Sequence, residues 1–349
     1  SYIDAVKKGL ADIRKYNGQP QGMFGGDEGL HGNNPTQGSE LCSAVELMYS
    51  LEKMMEITGD LTFTDHLERI AFNALPTQIT DDFMNKQYFQ QANQIMITRH
   101  PHNFYEDAHH AATDIIYGTR TGYPCCFSNM HQAWPKFTQS LWYATPDKGI
   151  AALAYSPSEV VAQVGDGHEI SIIEDTYYPM DDKIRFTIRL SNSVKEVTFP
   201  FHLRIPEWCK GAAVTINGIT DSINGGSDMA ILHRPWKDGD QVILSLPMKV
   251  ESSRWYENSV AIERGPLVYA LKMEERWMKK EFVGKERNQF GFDYYEVSSP
   301  TKWNYGILSA TIEDLEKNSQ VTIDPDKQSC DYFWNVRNAP IQIKLKAKE

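Results

Sequence analysis

The chain has 349 residues, 41% of them hydrophobic, and a formal net charge of −11, which is enough material for a sizeable core and for two or three domains. The acidic balance, with no long run of Lys or Arg, excludes a nucleic-acid-binding surface, because a phosphate backbone would be repelled. No stretch approaches the roughly eighteen uninterrupted apolar residues that a membrane-spanning helix needs.

In chain order, Ile3, Val6, Leu10 and Ile13 recur at helical spacing and predict a helix over 2–16, stopped by Gly18. No signal peptide is visible, and a start that already reads as helix is expected where a chain begins inside a domain. Residues 19–38 form a loop crowded with Gly, Asn and Pro, centred on Gly25-Gly26-Asp27-Glu28-Gly29-Leu30-His31-Gly32. Ser39 is a good N-cap for a helix to about Ile57, with Leu41, Ala44, Val45, Met48 and Leu51 as its apolar stripe. A further helix is predicted from about Thr62 to Leu75, ended by Pro76. Strand-like pieces at 87–91 and 93–98 sit among polar loops, and another helix is expected from Asn129 to Ala144.

Beyond residue 147 the pattern changes to period two. Runs at 150–155, 160–163, 169–174, 184–190, 197–205, 214–217, 229–232, 241–247 and 249–254 are separated by turn signals such as Asn217-Gly218, Asn224-Gly225 and Asp238-Gly239. Short strands at this spacing predict one or two β-sandwiches. The expected organisation is a helical domain over 1–146, a β-sandwich over 147–255 and a second β-rich domain over 256–349.

The five cysteines are Cys42, Cys125, Cys126, Cys209 and Cys330. An odd count with an adjacent pair argues for metal or catalysis over a disulfide framework. Cys42 follows Glu40 by two residues at the start of a predicted helix, where the positive end of the dipole favours a thiolate and a carboxylate. Zinc takes both donor types, so Glu40, Cys42, Cys125 and Cys126 would complete a tetrahedral set. The residues alone leave open that these are plain buried thiols. Asp27-Glu28, in a Gly-rich loop, offers a carboxyl group that the same pocket could use, and a glycosidase needs such a proton donor. His31 and His131 are candidates for touching substrate, and Asn129 stands near the cysteine pair. Gln90, Gln91, Asn93 and Gln94 offer donors to sugar hydroxyls, while His100, His102, His109 and His110 read as solvated loop residues.

The order Gly-Gly-Asp-Glu, then Glu40-Leu41-Cys42, then Cys125-Cys126-Phe127-Ser128-Asn129, then Arg264-Gly265-Pro266-Leu267-Val268-Tyr269 resembles the β-L-arabinofuranosidase-like glycoside hydrolases of family 127. The resemblance implies an (α/α)6 barrel followed by β-sandwich domains. It implies a retaining enzyme with Glu40, Cys42, Cys125 and Cys126 around Zn2+, Cys125 as nucleophile and Glu28 as general acid/base. It implies a glycoside of L-arabinofuranose or a related plant cell-wall sugar as substrate. Twelve helices make such a barrel and about five precede the β region, so the chain is expected to hold its C-terminal part. The remaining half, or a second copy of the chain, would then be a partner. Two other readings stay open: a metal-free inverting glycosidase using Glu28 with another carboxylate, and a non-catalytic carbohydrate-binding protein with structural zinc. A periplasmic or secreted location would suit polysaccharide digestion, and a cytoplasmic one would suit zinc-held thiolates.

Overall fold

The computed structural model describes residues 1–104, 109–191, 194–222, 228–327 and 332–349. Cys330 and the Asn224-Gly225 turn lie outside the described residues. The chain forms two compact units: residues 1–50, 69–135 and 250–349 make one, and 51–68 with 136–249 make the other. Helical and strand-rich segments are both present, and among the described residues no closed helical barrel is formed. No helix among them is long and apolar enough to cross a membrane.

In the first unit, helix α1 spans Tyr2–Asn17 and opens on a capping box between Ser1 and Asp4. Helix α2 spans Leu41–Thr58, with 41–50 in the first unit and 51–58 in the second, and buries Leu41, Ala44, Val45, Met48, Leu51 and Met55, the stripe that its 3.6-residue periodicity dictates. Its start differs from expectation. Ser39 is not an N-cap: Ser39–Glu40 form a short strand paired antiparallel with Phe89–Gln90, and the Ser39 hydroxyl donates to the Phe24 carbonyl 2.7 Å away. Helix α3, Thr62–Arg69, belongs to the second unit as far as Glu68 and runs into a π-helical turn at Ile70–Ala74 rather than continuing as α-helix to Leu75. Asn73 in that turn donates to the Pro266 carbonyl at 2.9 Å and accepts from Val268 N–H at 2.7 Å. The Arg264–Tyr269 motif is thus a hairpin docked on the π-turn.

Helix α4 spans Cys125–Gln139, four residues earlier than expected at its start and five at its end. Residues 142–144, assigned to this helix by the sequence, are a strand instead. Residues 93–98 form no strand; Ile97 alone bridges to Val297.

The second unit carries the expected period-two pattern. One sheet has six strands in the order 219–222, 213–216, 241–245, 183–190, 168–176, 158–164, every pair antiparallel. The other runs 228–236, 197–205, 150–152, 142–144, with 150–152 parallel to 197–205. Phe186 of the first sheet meets Phe201 of the second edge-to-face at 5.2 Å, so the two sheets touch through buried aromatic residues. The strand 183–190 alternates exposed and buried residues, whereas 197–205 is buried at all but one position.

Candidate metal centre

Three pieces of the first unit meet at one point. The Gly-rich loop closes tightly because its glycines permit contacts that a side chain would block. A Cβ on Gly25 would lie 2.2 Å from the Gly32 carbonyl oxygen, and one on Gly38 would lie 2.9 Å from the Phe89 ring. Between them Asp27 is fully buried, with its Oδ1 2.8 Å from His31 Nε2. The next residue, Glu28, is exposed and held at φ +74°. A non-glycine residue costs about 1–3 kcal/mol in this region, a strain typical of functional loops.

The second and third pieces are helix N-termini. Glu40 and Cys42 flank the first residue of α2, and Cys125 and Cys126 open α4. Cys42 Sγ lies 3.2 Å from Cys125 Sγ and 3.1 Å from Cys126 Sγ, and the pair's own sulfurs are 4.0 Å apart. Glu40 Oε1 is 3.7 Å from Cys125 Sγ and 3.6 Å from Cys126 Sγ. All four donor atoms fall within 4.8 Å of one another, and no disulfide joins them. A tetrahedral ion with metal–sulfur bonds of about 2.3 Å spaces its sulfurs about 3.8 Å apart, which the observed spacings bracket. Three thiols and a carboxylate, half-buried to buried, are a donor set that fits zinc.

The electrostatics single out one thiol. Its contacts with the Cys126 and Cys42 sulfurs draw the Cys125 thiol down to about 2. The Cys42 thiol is pushed up, first by its bond to Cys125, and Cys126 is pushed up by burial. Negative charge therefore settles on Cys125, the more accessible member of the pair, while its neighbours stay donors. Two helix dipoles with their positive ends here favour the same outcome. Burial raises the Glu40 carboxyl, and the charge of Glu28 adds to that rise.

One short segment, Lys86–Gln90, touches all three pieces. Phe89 and Gln90 pair with Glu40 and Ser39, and Tyr88 O accepts from Leu41 N–H at 3.0 Å. The Tyr88 hydroxyl donates to Glu28 Oε1. Burial, then this bond, holds the Tyr88 phenol well above its ordinary range, so it remains a donor. Lys86 is fully buried and donates to the carbonyls of Thr121 and, at 2.9 Å, Tyr123. Sequence reasoning missed both residues; the strand-like piece at 87–91 reached Tyr88 but not Lys86.

The structure thus brings together Glu40, Cys42, Cys125 and Cys126, and ties Glu28 to the neighbouring segment through Tyr88. His31 belongs to the Glu28 loop through Asp27. Asn129 Oδ1 accepts from Gln132, and the exposed His131 lies 3.3 Å from the Phe127 carbonyl; neither contact reaches the cluster. Gln90 and Gln91 donate to the carbonyls of Ala74 and Thr36, bracing the backbone. His110 departs from the solvated-loop expectation: it is buried, with Nδ1 2.6 Å from Asp114 Oδ1, and its ring meets Tyr88 edge-to-face at 5.2 Å. His100 and His102 remain at the surface or partly buried, their rings 4.1 Å apart.

Residues 23–139 match the family model of the GH127 β-L-arabinofuranosidase catalytic domain, and residues 149–248 match that of the GH127 middle domain. The non-reducing end β-L-arabinofuranosidase of Bifidobacterium longum subsp. longum is 26% identical over 249 residues, which cover 68% of this chain and 36% of that protein. A GH127 β-L-arabinofuranosidase from Geobacillus stearothermophilus T6 superposes with a TM-score of 0.62 at 19% identity, covering 96% of this chain and 51% of the other. A GH127 β-arabinofuranosidase superposes with a TM-score of 0.65 at 18% identity, covering 85% and 53%. The chain therefore spans about half of these solved structures and little more than a third of the curated relative.

Proposed function

We propose, because this chain belongs to glycoside hydrolase family 127, that it carries the catalytic centre of a retaining glycosidase acting on L-arabinofuranosides or related plant cell-wall sugars. Residues 1–146 would then be part of an (α/α)6 barrel, with 147–255 as a β-sandwich and 256–349 as a further β-rich domain. The observation that carries the reading is the cluster of Glu40, Cys42, Cys125 and Cys126, with Glu28 tethered beside it by Tyr88. Those four residues would hold zinc. When bound, the ion keeps coordinated thiols ionised at neutral pH.

The chain's own residues perform the steps. Cys125 Sγ, placed at a helix N-terminus, attacks the anomeric carbon as the bond to the leaving oxygen breaks. Glu28 donates its proton to that oxygen. A glycosyl group is then held on Cys125 sulfur. Glu28, now a carboxylate, takes a proton from water; the water oxygen bonds to the anomeric carbon, the carbon–sulfur bond breaks, and the thiolate is restored. Two displacements at one carbon retain its configuration. Tyr88 fixes one oxygen of Glu28, leaving the other for the proton. His31, Asn129 and His131 are proposed to contact the sugar.

The test is hydrolysis of an aryl β-L-arabinofuranoside, with the product anomer followed by NMR. Cys125→Ser and Glu28→Gln are each expected to lower kcat on the order of 10³-fold or more, with retained configuration in the unaltered protein. Full turnover by Cys125→Ser would sink the nucleophile assignment. An inverted product would move the reading to a metal-free carboxylate pair, and sugar binding without turnover to a binding protein.

A further inference from the structure

The structure assigns Lys86 as the fixed counter-charge of the cysteine cluster, a positioning residue that holds the thiol site anionic and in place. The inference rests on the metal-site reading above and adds a residue that the four-ligand set does not contain. Lys86 has no solvent exposure, and a buried ammonium is costly unless an anion lies near. Among the described residues no carboxylate lies within ion-pair distance of it. Its two bonded partners, the carbonyls of Thr121 and Tyr123, are neutral. Burial works against the ammonium, and the groups that offset it are Cys126, Cys125 and Cys42, with Asp114 behind them. The cysteine cluster, its thiols ionised once they hold a metal, is therefore the site placed to balance that cation.

Its anchoring is equally specific. The two carbonyls belong to the turn directly before Pro124-Cys125-Cys126, so the side chain grips the loop that delivers the pair. The Lys86 main chain grips the same loop: its N–H donates to Gly118 O at 3.2 Å, and its carbonyl accepts from Gly118 N–H at 3.0 Å. Its ammonium also stands 4.8 Å from the centre of the Tyr88 ring, whose hydroxyl holds Glu28. A zinc ion with three thiolates and a carboxylate carries a net charge of about −2. One buried positive charge beside it halves that excess in a place where water cannot screen it.

The experiment compares the full chain with Lys86→Gln and Lys86→Met, loaded with cobalt(II) as a spectroscopic substitute for zinc. Gln keeps a donor for the carbonyls and removes only the charge. Met matches the length of the lysine stem and removes both the charge and the donor. Folding of each is read from its circular-dichroism melt. Both variants are expected to bind cobalt at least tenfold more weakly in chelator competition, with a weaker and shifted thiolate-to-cobalt absorption band. Either variant, folded and binding cobalt with unaltered affinity and spectrum, overturns the assignment. Failure of the unaltered chain to bind cobalt would instead strike the metal-site reading itself, so the two failures are told apart without any turnover assay.

Discussion

Cys125 and Cys126 are neighbours in sequence but meet different surroundings. Cys126 is fully buried and Cys125 is partly open, so only one of them can meet a substrate. That asymmetry was not legible in the sequence, where the two thiols look equivalent and the choice of Cys125 rested on family resemblance. The four ligand types were legible, because Glu-x-Cys and Cys-Cys are uncommon pieces with donor atoms that suit zinc. Lys86 and Tyr88 were not, since a lone Lys or Tyr just before a two-residue strand carries no pattern of its own. A different buried carboxyl makes a residue-scale prediction. Glu52 on α2 is buried, and its Oε1 has no hydrogen-bond partner. Burial pushes its carboxyl up to about 7, against the pull of Lys136 and a bond from Ser140. A folded value above the unfolded one means that stability is full below about pH 4.5 and is lost as pH rises through 7. Glu52→Gln removes that loss, expected at about 2–3 kcal/mol by pH 8. Melting curves at pH 5 and pH 8 should therefore differ less for the variant than for the unaltered chain; an equal difference would show that Glu52 ionises without penalty.

Element boundaries follow from what competes for the backbone at each end. The predicted N-cap at Ser39 failed because a strand from residues 89–90 claims Ser39–Glu40, and sequence periodicity does not see a partner fifty residues away. The start of α4 was placed too late because Pro124-Cys125-Cys126 lacks an ordinary cap, although proline before a helix is well suited to its fixed φ. The sandwich strands, by contrast, were found nearly in register, because one face of each is buried and alternation records that directly. Where a strand is buried on both faces, as 197–205 is, the core also admits charge. Arg204 there is fully buried; it pairs with Glu68 at 2.5 Å and with Asp65 from α3. Tyr178 donates to the same Glu68 carboxylate at 2.8 Å. Arg204→Ala would strand two carboxylates and is expected to cost about 3–5 kcal/mol in urea unfolding. The paired change Arg204→Met with Glu68→Gln should cost less than Arg204→Ala alone, because it removes the orphaned charge along with its partner. A double variant as unstable as the sum of the two single ones would show that the pair is not coupled.

At the scale of the whole molecule, the four residues that could hold a metal all come from one of the two compact units. They join residues 40–42 to residues 125–126, a closure that no disulfide provides among the described residues. An ion bound only by the folded state stabilises it by about 2.7 kcal/mol at a free concentration one hundred times its dissociation constant. That linkage has a location. Amide exchange should slow on zinc addition, by up to about 10²-fold, at the start of α2, in 86–90 and at the start of α4. The sandwich strands 158–205 and 228–245, which supply no ligand, should change little. The contrast separates a metal that organises the segments around the cluster from one that merely lowers the protein's overall tendency to open: the second would protect the sheets as well. Unchanged exchange at residues 41–45 and 126–130 would mean that the three cysteines and Glu40, although gathered within bonding reach of one ion, do not hold it.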